Sequence, residues 1–306
     1  MTKRDLAASV RERLLNRARA QDRPFQELLQ YYAIERFLYR LSRSRQAGKF
    51  ILKGALLLTA WRAPLSRSTM DIDLLGRTSH ELEHVRALFA QLCDIESEPD
   101  GIEYDAKSVK VTRIKEDADY EGVRVRFRAT LARARISMQI DIGFGDVVTP
   151  GVVEIEYPTL LEFSAPILWA YPKETVVAEK LEALTALGML NSRMKDYFDL
   201  WALSRLYVFD GPILLKAVKA TFARRATAIE AQPVGLQEDF ANDEAKSAQW
   251  TAFSRRSRLT AAPARFTEVV SVVRNFAYPL LSAGAAGAAL NRTWRPGGPW
   301  TVEGPE

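Results

Sequence analysis

The chain has 306 residues, of which 47% are apolar and 26% are charged, so the composition predicts a folded protein with room for two cores. A formal net charge of +5 permits a polyanionic partner without requiring one. The single cysteine, Cys93, excludes a disulfide framework within the chain, and no apolar run approaches the roughly 20 residues that cross a bilayer. We therefore expect a soluble, cytoplasmic protein with neither a signal peptide nor a membrane segment.

The first half of the chain predicts a mixture of helices and strands. Residues 5–47 carry the apolar periodicity of two helices, and Pro24 is placed to open the second. Between residues 50 and 146, strand patterns surround a helical pattern over residues 79–93. The predicted strands lie in the stretches "KFILKG", "STMDIDLLG", "VKVTRI", "VRVRFRATL" and "ISMQIDIGF".

Strand patterns almost vanish in the second half of the chain, where helical patterns follow one another. We predict an α/β (α+β) fold with two lobes. Residues 1–155 form a mixed-sheet lobe with N-terminal helices, and residues 156–282 form a mainly helical lobe. Residues 283–306 are rich in Gly, Ala and Pro and are predicted to be irregular, with Trp294 and Trp300 as candidate anchors.

Three aspartates interrupt apolar strand patterns. Asp71 and Asp73 are two residues apart, so an extended strand directs both carboxylates to one side, where they repel each other unless a cation lies between them. Asp141 is an isolated acid in "MQIDIGFG". Three acids on adjacent strands suit hard Mg²⁺, whose ligands are oxygen atoms. The alternative is a frayed strand end with solvated carboxylates.

The order of several segments resembles the AbiEii/AbiGii family of nucleotidyltransferase toxins, over roughly residues 8–280. The segments are "SVRERLLNRARA", "YAIERFLYRLSRS", "FILKGALLL", "STMDIDLLG", "QIDIGFGD", "ETVVAEKLEAL" and "SRMKDYFDLWAL". The resemblance implies the nucleotidyltransferase fold that polymerase beta shares. It also implies transfer of NMP from an NTP with Mg²⁺, or Mn²⁺ as the alternative metal, to an acceptor such as tRNA or another RNA. A separately encoded antitoxin is the implied partner.

The resemblance also assigns roles to residues of the first lobe. It implies that Asp71, Asp73 and Asp141 hold the metal and that Asp141 helps to deprotonate the attacking hydroxyl. Residues of "LKGA" contact the nucleotide, and these are Lys53, Gly54 and Ala55. The superfold commonly has Ser or Gly after this glycine, whereas Ala55 offers no hydroxyl, so contacts to phosphate must come from backbone N–H groups.

The helical lobe carries further candidates. Lys180 falls at the edge of an apolar stripe, where its ammonium either snorkels to water or, as the resemblance implies, acts catalytically on the triphosphate. The resemblance adds Asp199 as a catalytic residue, and Lys195 and Asp196 as nucleotide-binding residues. The alternative for Lys195 and Asp199 is a helical salt bridge, because they are four residues apart.

Three other interpretations stay open. "HELEH" at residues 80–84 fits a zinc metalloprotease motif, with His80 and His84 as ligands and Glu81 as base, although this helix face should be exposed. A cationic strand stripe, formed by Arg124, Arg126 and Arg128, indicates either a solvated face or a track for nucleic acid, and a purely RNA-binding protein would also have it. The same metal chemistry could place a phosphoryl or nucleotidyl group on protein.

Overall fold

The computed structural model describes residues 3–63, 67, 69–117 and 120–302. The chain divides into two compact units, each built from several segments. The segments of the first unit are Met1–Arg62, Thr69–Gly145 and Val153–Ala170. Those of the second unit are Ala63–Ser68, Asp146–Val152 and Tyr171–Glu306. The first unit thus ends at Ala170 rather than near residue 155, and the second unit takes two short segments from the first half of the chain.

The first unit contains four helices and seven strands in its described residues. The helices are α1 (Lys3–Ala20), α2 (Phe25–Arg43), α3 (Leu56–Ala60) and α4 (Leu82–Cys93). The strands are β1 (Phe50–Lys53), β2 (Ile72–Gly76), β3 (Ile102–Asp117), β4 (Tyr120–Leu131), β5 (Ala134–Phe144), β6 (Val153–Glu156) and β7 (Ile167–Ala170). The structure confirms the predicted mixture of helices and strands.

All seven strands form one mixed sheet in the order β3-β4-β5-β2-β1-β7-β6. β2 runs parallel to β5 and antiparallel to β1, while β1 is parallel to β7. Neighbouring strands β3, β4 and β5 are antiparallel, and so are β6 and β7. β2, which carries Asp73, therefore lies in the interior of the sheet, with β5 on one side and β1 on the other.

One face of the sheet is covered, because alternate residues of its strands are buried. On β5 the buried positions include Ile136 and Met138, whereas Ser137 between them is exposed. α2 and α4 pack on this face through an aromatic cluster, whose members are Phe37, Phe50, Phe89, Tyr104 and Phe127. The opposite face of β3, β4 and β5 carries the polar side chains.

A buried ion cluster ties α2 to the start of β3. Asp100, which is 2% exposed, accepts hydrogen bonds from Arg36 Nε at 3.0 Å and from Arg40 Nη1 at 2.7 Å and Nη2 at 3.1 Å. Arg36, which is fully buried, also donates to Glu98 at 2.6 Å. Buried charges are tolerated only when they are paired and hydrogen-bonded, so this cluster fixes α2 in position.

The second unit is mainly helical. Its helices are α5 (Lys173–Leu187), α6 (Met194–Leu206), α7 (Gly211–Arg224), α8 (Glu238–Asn242), α9 (Glu244–Arg256) and α10 (Phe266–Ala285). Its strands are β8 (Phe209–Asp210), β9 (Thr293–Trp294) and β10 (Trp300–Thr301), which form a small antiparallel sheet. The packed aromatic side chains are Tyr197, Phe240, Trp250, Phe253 and Phe266.

The segment after α10, predicted to be irregular, contains β9 and β10. Trp294 Nε1 donates to Ser204 O at 2.6 Å, and Trp300 Nε1 donates to Phe276 O at 2.9 Å. Both indoles are buried, and their rings pack against Phe276. Indole anchoring therefore docks this segment onto the helices of its own unit.

No helix among the residues that the structure describes is long and apolar enough to span a membrane.

Replacing Asp100 with Ala should lower the free energy of unfolding by about 3–5 kcal/mol, because it leaves two buried guanidinium groups without their shared carboxylate. Urea denaturation measures this loss. The matched control is Asp105→Ala, which removes an exposed pair with Arg128 and should cost no more than about 1 kcal/mol. Equal losses for the two variants would contradict a structural role for the buried cluster.

Candidate active site

The sheet of the first unit carries a row of charged residues across four neighbouring strands. Lys53 on β1 pairs with Asp73 on β2, and Asp73 pairs with Asp141 on β5. Asp141 in turn pairs with Arg124 on β4. Directly opposed residues point to the same face, so the row reads cation, acid, acid, cation over three strand spacings of about 4.8 Å each.

The two central acids have a cation on either side in the strand register. Arg124 Nε donates to Asp141 Oδ1 at 2.7 Å, and Arg124 Nη2 donates to Asp141 Oδ2 at 2.6 Å. The pair is largely buried, with 29% of the Arg124 side chain and 13% of the Asp141 side chain exposed. Lys53 at the other end of the row is 6% exposed. Because Asp73 and Asp141 are neighbouring acids, a cation at each end of the row offsets their mutual repulsion.

Arg124 is influenced by all three predicted metal ligands. Its pKa is raised, first by the hydrogen bonds to Asp141, against the cost of burial, and then by the charges of Asp141, Asp71 and Asp73. The guanidinium therefore lies within electrostatic reach of both acids of the "DID" stretch. The strand register sets Asp73 beside Asp141, and Arg124 is the cation next to them.

α2 fixes the backbone that leads into the "DID" stretch. Gln30 Nε2 donates to Met70 O at 3.3 Å and to Ser137 O at 3.0 Å. The hydroxyl of Tyr31 accepts from Thr69 N at 3.1 Å. Gln30 thereby bridges the residue before Asp71 and strand β5, so that the two acid-bearing segments share one anchor. No sequence pattern indicates this role, because Gln30 and Tyr31 fall within an ordinary helical pattern.

Gly54 lies against the acids and adopts a left-handed backbone conformation with φ of +75°. A β-carbon at this position would collide with the carboxylate of Asp73. Only glycine therefore combines the backbone conformation and the close approach that the turn after β1 requires. Ala55, which follows, is buried immediately before α3. The predicted "LKGA" stretch thus lies directly beside the acid row.

The donor chemistry at this place fits a hard divalent cation. Three half-buried aspartates supply carboxylate oxygens, and the missing side chain of Gly54 makes room for the carboxylate of Asp73. Across residues 3–63, 67, 69–117 and 120–302, however, no three acidic, histidine or cysteine side chains converge closely enough to form a ready-made metal site. Asp141 is turned towards Arg124 instead. The ligand types and the strand register fit the metal, whereas the orientation of Asp141 does not yet do so.

The second unit contains a chain of alternating charges. Asp199 accepts from Arg67 at 2.9 Å and 3.0 Å and is paired with Lys180 Nζ at 2.8 Å. Lys180 Nζ also donates to Asp196 Oδ1 at 2.8 Å, and Asp196 Oδ2 accepts from Arg193 at 2.6 Å. Both aspartates are 1% exposed, so their full compensation by three cations is what makes their burial possible.

These contacts bear on two alternatives for this unit, a Lys180 that snorkels to water and a helical salt bridge between Lys195 and Asp199. Lys180 is 12% exposed and its ammonium is bound by two carboxylates, so it does not snorkel to water. Burial alone would lower the pKa of Lys180, but Asp196 and Asp199 outweigh burial and raise it. Asp199 is bound by Arg67 and Lys180, while Lys195 is exposed.

Both carboxylates stay ionised despite their burial. Burial by itself raises the pKa of Asp196, but Lys180 and then Arg193 lower it well below its ordinary value. The pKa of Asp199 is lowered in the same way, by Arg67 and Lys180 against burial. The cluster is therefore a set of fixed charges rather than a set of titrating groups.

Sequence reasoning missed Arg67 and Arg193. Arg193 lies three residues before Asp196, a spacing that could have been recognised on a helix. Arg67 precedes the "DID" stretch but reaches Asp199, which is 132 residues away along the chain. Local periodicity carries no information on such a pair.

The arginine stripe on β4 is partly neutralised. Arg126 donates to Gln139 Oε1 at 3.0 Å, and Arg128 donates to Asp105 at 2.7 Å. Both arginines are exposed, as predicted for one face of a strand. Arg124, the third member, belongs to the acid row instead of a solvated stripe.

The "HELEH" stretch does not form the helix that a metalloprotease site requires. α4 begins at Leu82, so His80 lies before the helix and not one turn from His84 on a common face. His80 and His84 are both exposed, and His84 Nε2 is 3.0 Å from the hydroxyl of Thr78. The predicted exposure of both histidines is confirmed.

Comparisons with known proteins agree with the motif order. The family described as "Nucleotidyl transferase AbiEii toxin, Type IV TA system" matches residues 36–272. No curated protein matches the chain.

Two solved structures resemble the chain at low sequence identity. One is a protein from H. pylori described as a candidate nucleotidyltransferase, with 14% identity, a TM-score of 0.48, and coverage of 84% of this chain and 96% of that chain. The other is JHP933 from Helicobacter pylori, with 16% identity, a TM-score of 0.49, and coverage of 86% of this chain and 96% of that chain.

The family match spans most of the chain and includes the acid row of the first unit and the charge chain of the second. The predicted resemblance is thereby confirmed. The chain belongs to the AbiEii nucleotidyl transferase toxin family of type IV toxin–antitoxin systems and is a nucleotidyltransferase.

Proposed function

We propose that the protein transfers NMP from an NTP to an RNA acceptor, tRNA in the first place, in a reaction that depends on Mg²⁺, with Mn²⁺ as a substitute. The observation that carries the proposal is the register of Asp73 beside Asp141 on parallel strands, with Asp71 next to them. Family membership supports the reaction type. An antitoxin encoded separately is the expected partner, and the cytoplasm, which holds the NTP and the RNA, is the proposed location.

The carboxylates of Asp71, Asp73 and Asp141 would hold the metal. When bound, a divalent cation supplies Lewis-acid stabilisation of the charge that develops in an in-line phosphoryl displacement. Asp73 is held in place by the close approach of Gly54, and Asp71 by the anchoring of Met70 and Thr69 to α2. Asp141 could also accept the proton of the attacking hydroxyl, because a carboxylate within hydrogen-bond reach can serve as a general base.

The remaining predicted residues contribute charge and hydrogen bonds to the nucleotide. Lys53 and the backbone of Gly54 and Ala55 would contact phosphate beside the acids. We propose that the charge chain of the second unit acts on the triphosphate, with Lys180 and Asp199 as its centre and Lys195 and Asp196 alongside. In the structure Lys180 is preorganised by two buried carboxylates, as electrostatic stabilisation of a transition state requires.

The substrate is identified by incubating the purified protein with each labelled NTP, Mg²⁺ and total RNA. Incorporation of one nucleotide into an RNA band supports the proposal. Label on protein instead of RNA would favour the alternative acceptor, and RNA binding without incorporation of any nucleotide would favour a non-catalytic RNA-binding protein.

Asp73→Asn should abolish nucleotide transfer and toxicity while the protein stays folded, because the substitution removes the charge of a proposed metal ligand without changing the volume of the core. The measurements are single-turnover transfer, growth of cells that express the variant, and circular dichroism. The control is Asp239→Asn, which removes an exposed acid of α8. Wild-type transfer by a folded Asp73→Asn protein would contradict the proposed metal site.

Lys180→Met should lower kcat/KM by about 10²–10³-fold, as when a preorganised electrostatic donor is removed. It should also cost about 1.5–3 kcal/mol of stability, because charge-assisted hydrogen bonds to buried acids are lost. Transfer kinetics and urea denaturation measure the two effects separately.

The matched control for this lysine is Lys173→Met, which removes a half-buried ion pair with Glu174. It should leave transfer within about twofold and change stability by no more than about 1 kcal/mol. If Lys180→Met lost stability but kept full transfer, Lys180 would be a structural residue only.

Gly54→Ala should reduce transfer strongly, because a methyl group displaces the carboxylate of Asp73 and the left-handed backbone costs a non-glycine residue about 1–2 kcal/mol. Gly48→Ala is the control, since nothing lies within 4 Å of a β-carbon there. Transfer assays and melting temperatures distinguish the two variants. Full transfer by Gly54→Ala would show that Asp73 does not need its present position.

A further inference from the structure

The two oxygens of Asp141 are both used by Arg124. The guanidinium contacts Oδ1 through Nε and Oδ2 through Nη2, at 2.7 Å and 2.6 Å. Such a bidentate pair is the strongest common arrangement of an arginine with a carboxylate. Gln139 Nε2 adds a third, long contact to Oδ2 at 3.5 Å. These bonds use one lone pair of each oxygen, so a metal ion must either approach the remaining lone pairs against the charge of the guanidinium or displace part of the pair.

The position of Arg124 also explains how two acids can lie side by side. Asp73 and Asp141 are directly opposed on parallel strands, and Asp71 comes immediately before β2. Arg124 on β4 and Lys53 on β1 are the cations of the same cross-strand row. Arg124 binds a carboxylate of the proposed metal site through two hydrogen bonds.

We propose that Arg124 is a tethered cation that competes with the divalent metal ion for Asp141. The ion pair compensates the acids and keeps Asp141 in place before the metal binds, and metal binding exchanges the guanidinium for the ion. This inference rests on the proposed function, because it concerns the same site. It assigns to Arg124 the role of a positioning residue that sets metal affinity, and not that of a solvated member of the β4 stripe.

The competition can be tested by measuring metal binding alone, without catalytic turnover. Arg124→Met keeps an aliphatic stem but has no charge and no donor, so Asp141 becomes free to bind. The affinity of the nucleotide-free protein for Mn²⁺ should rise about ten- to a hundredfold, which is the factor that corresponds to the free energy of a charge-assisted bidentate pair. Isothermal titration calorimetry and the electron paramagnetic resonance signal of free Mn²⁺ both measure it.

A double-mutant cycle separates competition for Asp141 from a general effect of charge. Asp141→Asn should weaken Mn²⁺ binding. In the Asp141→Asn background, Arg124→Met should change the affinity by about threefold or less, the size of an exposed charge interaction. If Arg124→Met raised the affinity equally in both backgrounds, the arginine would act through its charge alone and the competition would be wrong.

Arg126→Met is the matched control, because Arg126 lies two residues further along the same strand and donates to Gln139 Oε1 rather than to an acid of the row. It should leave Mn²⁺ affinity within about threefold of the wild type. Arg124→Lys, which keeps the charge without the bidentate fork, should give an intermediate affinity. The rise in melting temperature on adding Mn²⁺ provides a second readout and shows that each variant is folded.

The outcomes distinguish this inference from the proposed function. Wild-type binding of Mn²⁺ with no gain in Arg124→Met overturns the competition and leaves the metal site standing. Absence of Mn²⁺ binding in the wild type and in Arg124→Met overturns the metal site, and the competition with it. A gain that depends on Asp141 supports both.

Discussion

Repulsion between two carboxylates on adjacent strands is the constraint on which the first unit depends. Asp73 and Asp141 are directly opposed in a parallel pair, where two negative charges are about 5 Å apart and only partly solvated. The sheet meets this constraint by placing Lys53 and Arg124 at the two ends of the same row. The order of strands, with β2 between β5 and β1, places the two acids between the two cations.

The scaffold around the row connects stability with the site. Asp100 binds Arg36 and Arg40 of α2, and the same helix donates from Gln30 to the backbone of Met70 and Ser137. The buried ion cluster therefore does more than contribute to folding, since it fixes the helix that anchors the segments carrying Asp71 and Asp141. Disturbing the cluster would move the acids without touching them.

The two units differ in how deeply their acids are buried and in what surrounds them. In the second unit, Asp196 and Asp199 are 1% exposed and their charges are satisfied by three cations, so their role is to hold those cations in place. In the first unit the acids are half-buried, and the carboxylate of Asp73 occupies the space that a side chain of residue 54 would take. A closed cluster suits fixed electrostatics, whereas a half-open one suits an exchangeable ligand.

The sequence by itself determined the family and the mixed α/β class, because motif order and strand alternation are local properties. It also placed Lys180 at the edge of an apolar stripe and Asp141 in a strand. It did not determine the partners of these residues. Only the tertiary structure decided that β2 pairs with β5 so that Asp73 faces Asp141, that Arg124 binds Asp141, and that Arg67 reaches Asp199 across 132 residues. Strand order and long-range ion pairs depend on how distant segments pack, and the period of a helix or strand does not encode that information.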